Sequence, residues 1–463
     1  MNRRDRAIPC VMTIAGSDSG GGAGIEADLK TFSALGVFGT CAITAITAQN
    51  TQGVKEIFPV PPPIVRAQIQ AVLEDIPIKV AKTGMLYSRD IMEVVAESIE
   101  SYGIGLVADP VFRAGTGRSL IIEEDKEAFI ALLLPRAIIL TPNLFEAEII
   151  SGLKISSLED MKRAARKIID LGAEAVIIKG GHLRTSGQKV YDIFYTHESF
   201  RIFEKKRRSV KPHGGGCVFS AAIASFLAKG EDLKQAVEKA ERFIETSFIG
   251  ALKVGSGRTP VNPMASLYNK SERVSVIDQI EAAARIIEEN PILLPFAAEV
   301  GTQIAMALPF PCGPADVAAI EGRIVKIRDR LKAVGPARFG ASRHMANVIL
   351  TAMRYDSEIR AAMNLHYSPK IVEAFRRIGC KVAEFERSRE PADVKSVEGR
   401  SLSWGTEEAI RTTGEVPDVI YDKGEVGKEP MIRILGRDAI EVVNKVLKAI
   451  KSLSLEKDDS ALR

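Results

Sequence analysis

The chain contains no run of about 18 consecutive apolar residues, the length that a membrane-spanning helix needs, which excludes a helical membrane protein. It has no large excess of either charge: 63 basic residues face 59 acidic ones, a net of +4, too even to point to nucleic acid on electrostatic grounds. There is no CxxC pair. The five cysteines, Cys10, Cys41, Cys217, Cys312 and Cys380, are odd in number and far apart, which argues against a disulfide framework and against a zinc site. Long-period repeats and low-complexity segments are also missing. The basic run Lys205-Lys206-Arg207-Arg208 is short and reads as a solvated loop. The basic opening Met1-Asn2-Arg3-Arg4-Asp5-Arg6 leads into a short strand and then glycines rather than an apolar signal segment, so the expected setting is cytoplasmic. What is present is an ordinary globular balance, 46% apolar and 26% charged, over 463 residues, enough for two domains or three.

The first half alternates strand and helix patterns. Residues 10–15 read as a buried strand, 16–24 as a glycine-rich turn, and 25–35 as a helix with Ile25, Leu29 and Phe32 on one face. Further strands are predicted at 42–48, 106–111, 137–140 and 175–178, and then at 190–195 and 199–205. This rhythm predicts a mainly parallel sheet covered by helices. Residues 255–263 carry Gly, Ser, Arg, Pro and Asn, the chemistry of a linker, and a new helix is expected from about residue 275. The domains are therefore placed at 8–262 and 275–453.

Two glycine clusters carry the chemistry of the first half. Residues 16–24, Gly-Ser-Asp-Ser-Gly-Gly-Gly-Ala-Gly, lie between strand and helix, where glycine lets backbone approach a ligand and a helix N-terminus adds oriented N–H groups. No Walker A lysine follows, and a forced GxGxxG breaks at Ile25. The second cluster, His213-Gly214-Gly215-Gly216-Cys217, directly precedes a helix. Its successive N–H groups suit an anion hole, and the helix dipole at Cys217 is expected to lower the thiol's pKa. A thiolate there could take a proton from a hydroxyl during phosphoryl transfer; a small cysteine packed in a helix turn is the plainer alternative. Asp109-Pro110, Thr141-Pro142-Asn143 with Glu146, and Lys179-Gly180-Gly181-His182 each follow a predicted strand, at the edge where α/β ligands bind. Such groups suit Mg²⁺ and nucleotide phosphates, although an Asn after a strand is also a common helix cap.

Residues 13–31, residues 43–51, Lys82-Thr83-Gly84-Met85-Leu86 and the strand-end motifs above together resemble hydroxymethylpyrimidine/phosphomethylpyrimidine kinase, a ribokinase-like enzyme of thiamine biosynthesis. The resemblance implies a three-layer α/β domain and two ATP-dependent phosphorylations. The first acts on 4-amino-5-hydroxymethyl-2-methylpyrimidine, and the second extends its monophosphate to the pyrophosphate. By the same match Gln49 and the backbone near Gly16 bind the pyrimidine in a substrate pocket that Asp28 supports, and Asn143, Lys179, Gly214 and Gly216 bind ATP and phosphates. Asp109 and Glu146 serve Mg²⁺, and Cys217 is the catalytic base. The family usually reads His-Gly-Thr-Gly-Cys where this chain has Gly215, so a hydroxyl able to touch nucleotide phosphate is absent and weaker ATP binding is expected.

The second half shows no metal-ligand cluster and no phosphate loop of the first kind. Residues 320–325 place Arg323 beside a glycine in a strand-like run, residues 335–344 form a glycine-punctuated loop with Arg338, Arg343 and His344, and residues 421–430 form a charged loop containing Lys428. Arginines near a helix start suit phosphate or pyrophosphate; the alternative has them solvated, with His344 a cap or surface residue. Residues 335–344, Arg354-Tyr355-Asp356 and residues 427–432 resemble a ThiN-type thiamine-phosphate synthase domain of α/β or α+β class, over roughly residues 275–453. The resemblance implies coupling of pyrimidine pyrophosphate to thiazole phosphate, with Arg323 and His344 catalytic and Arg338, Arg343 and Lys428 binding phosphate. The implied partners are small molecules, with no nucleic acid or membrane, and a homodimer is common among relatives of the kinase. Two other readings compete: a kinase with a C-terminal ligand-sensing domain, and a kinase for pyridoxal or a sugar. No helix-turn-helix pattern supports the sensor, and Gln49 with Cys217 favours the pyrimidine.

Overall fold

The computed structural model describes residues 8–461 apart from 116, 182, 184–188, 208–211 and 396–398. The basic opening residues, Arg208 and His182 therefore lie outside the described residues. The chain divides into two compact units, Met1–Ser266 and Leu267–Arg463. Among the described residues no helix is long and apolar enough to cross a membrane.

The first unit is built on nine strands: β1 (Cys10–Asp18), β2 (Phe38–Asn50), β3 (Gly53–Pro59), β4 (Val80–Thr83), β5 (Gly105–Ala108), β6 (Ala137–Leu140), β7 (Ala175–Lys179), β8 (Lys189–Thr196) and β9 (Phe200–Lys206). Their order is β3-β2-β1-β4-β5-β6-β7-β8-β9. The run from β2 to β7 is parallel, and β3, β8 and β9 are antiparallel additions at the edges. Period-two alternation sorts the strand residues. Val11, Val80, Val107, Ile139 and Ile177 pack toward helices Gly24–Ala34, Gly215–Ala228 and Leu233–Ile249. Met12, Ala81, Leu106, Leu140 and Val176 pack toward the opposite helices, among them Arg89–Tyr102 and Leu158–Asp170. The result is the expected three layers around a mainly parallel sheet.

Two elements differ from their sequence reading. The strand predicted at 106–111 ends at Ala108, because Pro110 cannot continue the ladder. The stretch 255–263 is not a free connector. Strand β10 (Pro212–His213) pairs with β11 (Thr259–Pro260), and the Arg258 and Gly257 N–H groups donate to Thr51. It therefore belongs to the first unit, and the next helix begins at Ala265 rather than near 275.

The second unit carries a seven-stranded sheet: β12 (Ile304–Ala307), β13 (Val317–Ile320), β16 (Ala337–Phe339), β17 (Ala361–His366), β18 (Val382–Glu384), β19 (Val419–Asp422) and β20 (Met431–Gly436), ordered β16-β13-β12-β17-β20-β19-β18. A separate hairpin joins β14 (Ile324–Ile327) to β15 (Arg330–Ala333). Only β18 and β19 run parallel, which places the unit on the α+β side of the two expected classes. Helices Pro369–Arg377 and Ala439–Ala461 cover one face, and Arg343–Ala352 and Arg400–Thr413 the other.

Candidate active site

The carboxyl ends of β1, β2, β4, β5, β6 and β7 open onto one cavity of about 650 Å³. A parallel sheet brings all these ends to one edge, so residues distant in sequence meet there. Gly16, Gln49, Asp109, Asn143, Glu146, Lys179, Gly214, Gly216 and Cys217 all line it.

The two glycine clusters behave differently. In the first, β1 runs on through Gly16 to Asp18, and the turn is tighter than expected. Its N–H groups are already taken: Gly20 donates to Asp18 Oδ1 at 2.8 Å, and Gly22 and Ala23 donate to Asp18 Oδ2 at 3.1 and 2.8 Å. The loop therefore wraps its own carboxylate and offers no anion hole, which corrects the ligand-cradle expectation for these N–H groups. Burial works to raise the Asp18 pKa, but His213 and these N–H groups hold it below the ordinary carboxylate value. The second cluster is the open one. Gly214 takes a left-handed φ of 77° and no side chain caps the helix that begins at Gly215, so the first-turn N–H groups face the cavity. Gly214 has to be glycine, since a Cβ there would stand 1.8 Å from the Gly22 carbonyl oxygen. That contact presses the two loops together.

His213 joins them. Its Nε2 lies 2.9 Å from Asp18 Oδ2 and 3.1 Å from the Gln49 amide nitrogen. Asp18 only accepts, so Nε2 carries the hydrogen, and two donors cannot face each other. The Gln49 amide is thus assigned with its oxygen toward His213 and its NH₂ free for a ligand.

Cys217 sits at the third helical position, but the helix dipole does not decide its ionisation. Burial pushes the thiol up to about 11, while Lys82 and the Gly24 N–H pull the other way without prevailing. The expected lowering is therefore corrected: burial outweighs the helix position and favours the thiol form. Beneath it, Lys82 Nζ and Asp28 Oδ2 form a fully buried pair at 2.8 Å, and Thr13 Oγ1 donates to the same oxygen at 2.6 Å. Asp28 is not among the cavity's lining residues; it supports the pocket through Lys82, which does line it.

Asn143 and Glu146 form a capping box: each side chain accepts from the other's backbone N–H, at 3.0 and 2.7 Å. The cap reading thus holds for Asn143, whose amide oxygen is occupied. Burial pushes the Glu146 carboxyl up to about 8, with Lys179 opposing and Asp109 adding to the rise. Lys179 Nζ reaches Asp109 Oδ1 at 3.2 Å, and Thr141 donates to that oxygen at 2.9 Å. Among the described residues no group of three His, Cys, Asp or Glu stands ready to hold a metal alone. Lys82, Asp18 and His213 lie within the recognised motifs but carry no role in the sequence reading; an Asp ending a strand before a glycine loop is the signal for the second of these.

In the second unit the strand-like run at 320–325 is broken. Gly322 and Arg323 both take φ of 72°, and Arg323 Nη1 donates to the Val300 carbonyl. Glu429 accepts from the Glu299 and Val300 N–H groups and lies 3.0 Å from His366 Nδ1. Arg323 and the Lys428–Glu429 turn are thus brought together through Val300, with His366 and Glu429 as members that the sequence did not single out. Lys428 also lies 3.8 Å from the buried Glu390. Arg338 is on β16, exposed, and 3.3 Å from Glu321. Arg343 and His344 are exposed on the first turn of a helix whose cap, Ser342, accepts from the Met345 N–H. Among the described residues no hydrogen bond or ion pair ties them to Arg323.

Comparison with known proteins matches both units. The phosphomethylpyrimidine kinase family matches residues 18–262, and the family thiamine-phosphate synthase ThiN matches residues 279–448. The bifunctional thiamine biosynthesis protein ThiDN of Methanocaldococcus jannaschii is 36% identical over 439 residues, 94% of this chain and 97% of that protein. The hydroxymethylpyrimidine/phosphomethylpyrimidine kinase of Bacillus subtilis is 44% identical over 260 residues, 56% of this chain and 96% of its own. Among solved structures, the pyridoxal kinase of Staphylococcus aureus in complex with AMP-PCP and pyridoxal superposes with a TM-score of 0.52 at 38% identity, covering 56% of this chain and 94% of that one.

Proposed function

This chain belongs to the family of bifunctional thiamine biosynthesis proteins that join a hydroxymethylpyrimidine/phosphomethylpyrimidine kinase to a thiamine-phosphate synthase, and on that premise we propose how its residues divide the work. Gln49, through its free NH₂, and the backbone at Gly16 hold the aminopyrimidine, whose ring nitrogens accept hydrogen bonds. The open N–H groups of Gly215, Gly216 and Cys217 receive the transferring phosphoryl group, with Lys82 and Lys179 supplying positive charge. ATP is the donor. Mg²⁺ in such sites is held by one or two carboxylates together with phosphates, and the pair Asp109 and Glu146 fits that requirement; the raised pKa of Glu146 is what a neighbouring cation would reverse. When bound, Mg²⁺ neutralises charge on the phosphates. Cys217, once ionised, removes the hydroxymethyl proton.

The observation that carries this reading is the convergence of a thiol, two cations and an uncapped helix start on one cavity. In the second domain, Arg323 and Lys428 neutralise the departing pyrophosphate, with Arg338, Arg343 and His344 as further phosphate contacts. The contact of Arg323 with the Val300 carbonyl, next to the N–H groups that Glu429 accepts from, supports pairing Arg323 with the Lys428–Glu429 turn. The ligands in this reading are small molecules, and the setting is cytoplasmic. Cys217→Ser tests the division: it should abolish pyrimidine phosphorylation yet leave coupling of supplied pyrimidine pyrophosphate intact. Loss of both activities together would contradict two separate sites.

A further inference from the structure

Of the cations around the cavity, Lys82 is paired with Asp28, Lys179 with Asp109, and Lys205 with Asp192 and Glu241. Lys206, Arg113 over the Phe145 ring, and Arg207, which donates to the Gly181 and Leu183 carbonyls, also line the cavity; Arg258 is distinguished by where its backbone is held. Its Nη1 donates only to the Pro212 carbonyl, at 3.2 Å, and among the described residues it has no carboxylate partner. It lies on the cavity wall, and its guanidinium is laid against Gly115, where a Cβ would stand 2.8 Å from Nη1. Its backbone is bolted down on both sides. The Arg258 N–H donates to the Thr51 carbonyl at 2.8 Å, Gly257 is close enough that a Cβ would be 2.1 Å from that same oxygen, and the next two residues pair with Pro212 and His213. Thr51 lies two residues beyond Gln49, and Pro212 two before Gly214. Arg258 is therefore anchored between the end of the cavity that holds Gln49 and the open N–H turn.

We propose that Arg258 is the recognition residue for the phosphate of the monophosphate substrate, and so a specificity determinant of the second phosphorylation. This rests on the kinase reading above. The two steps share a ring and differ by a group carrying about −1.5 to −2 charge at neutral pH. A planar guanidinium with no carboxylate of its own can take two oxygens of that group, whereas the uncharged alcohol gives it nothing comparable to bind. The stretch 255–263 thus carries a cation to the substrate.

The test measures kcat/KM for the alcohol and for the monophosphate in the full-length protein and in Arg258→Gln, Arg258→Lys and Gly115→Ala. The last displaces the guanidinium without altering residue 258. The ratio of alcohol to monophosphate efficiency should rise by about 10-fold or more in Arg258→Gln. It should rise less in Arg258→Lys, which keeps charge and loses the fork, and in the same direction in Gly115→Ala, through KM rather than kcat. An unchanged ratio in Arg258→Gln, whether both steps survive or both fall together, overturns the proposal. Wild-type protein that phosphorylates neither compound would instead overturn the kinase reading on which it rests.

Discussion

His213 Nε2 and Asp18 Oδ2, 195 residues apart in the chain, lie 2.9 Å from one another, and through this contact the wrapped glycine loop orders the open one. Asp18→Asn keeps one acceptor oxygen and turns the other into an NH₂ donor, so it strands either the Gly20 N–H or the Gly22, Ala23 and His213 donors. We expect a loss of about 1–3 kcal/mol in stability and a rise in pyrimidine KM as Gln49 loses its orientation. The sign with pH follows from the lowered folded pKa. The contribution of Asp18 is complete above its ordinary carboxylate value and is lost as pH falls through the lower folded one. Melting curves of wild type and Asp18→Asn should therefore converge in acid; a gap that widens there would contradict this assignment.

The raised Cys217 pKa separates the two kinase steps. Alcohol phosphorylation needs the ionised sulfur, so its kcat should climb about 10-fold per pH unit between pH 7 and 9. The monophosphate already presents an anionic oxygen at neutral pH and should show a much flatter profile. Alkylation of Cys217 in the free protein should likewise be slow at pH 7 and accelerate with pH. Fast alkylation at pH 7 would restore the lowered-pKa reading.

Lys82 and Asp28 are both fully buried, so removing one charge strands the other. Lys82→Met should cost about 3–5 kcal/mol. The double variant Lys82→Met with Asp28→Leu should recover most of that stability but not the kinase activity, because Lys82 also faces the cavity. Denaturant titrations of both singles and the double give the coupling directly. Additive effects would show that the pair does not act as a unit.

Gly215 is packed against Phe248: a Cβ there would lie 3.1 and 3.3 Å from two ring carbons. Gly215→Thr should lower ATP KM by returning a hydroxyl near the phosphates. It should also lower Tm, by the strain of about 1–3 kcal/mol expected from overpacking. Adding Phe248→Leu should return the Tm while keeping the lower KM. An unchanged ATP KM would show that the hydroxyl is not needed in this protein.

Much of this site is legible in the sequence, because strand-end motifs and period-two apolar alternation are local signals. The parallel sheet then follows, and so does the meeting of Gln49, Asp109, Lys179 and Cys217 at one edge. The direction in which a glycine loop points its N–H groups is not local. Whether residues 20–23 serve a ligand or Asp18 depends on the placement of one carboxylate. Nor does a two-residue strand such as Thr259–Pro260 leave a period to detect, so its composition reads as a linker. The ionisation of Cys217 escapes the sequence for a related reason. Helix position is visible there, whereas the burial that outweighs it is a property of the packed site.

One chain, on this reading, carries a pyrimidine through both kinase steps and then couples it. The decisive experiment incubates the purified full-length protein with hydroxymethylpyrimidine, ATP, Mg²⁺ and thiazole phosphate and follows products by mass. Thiamine phosphate should appear after transient monophosphate and pyrophosphate intermediates, with pyrophosphate released in equal amount. Accumulation of pyrimidine pyrophosphate with no thiamine phosphate would contradict the synthase assignment, and no phosphorylation of the pyrimidine would contradict the whole.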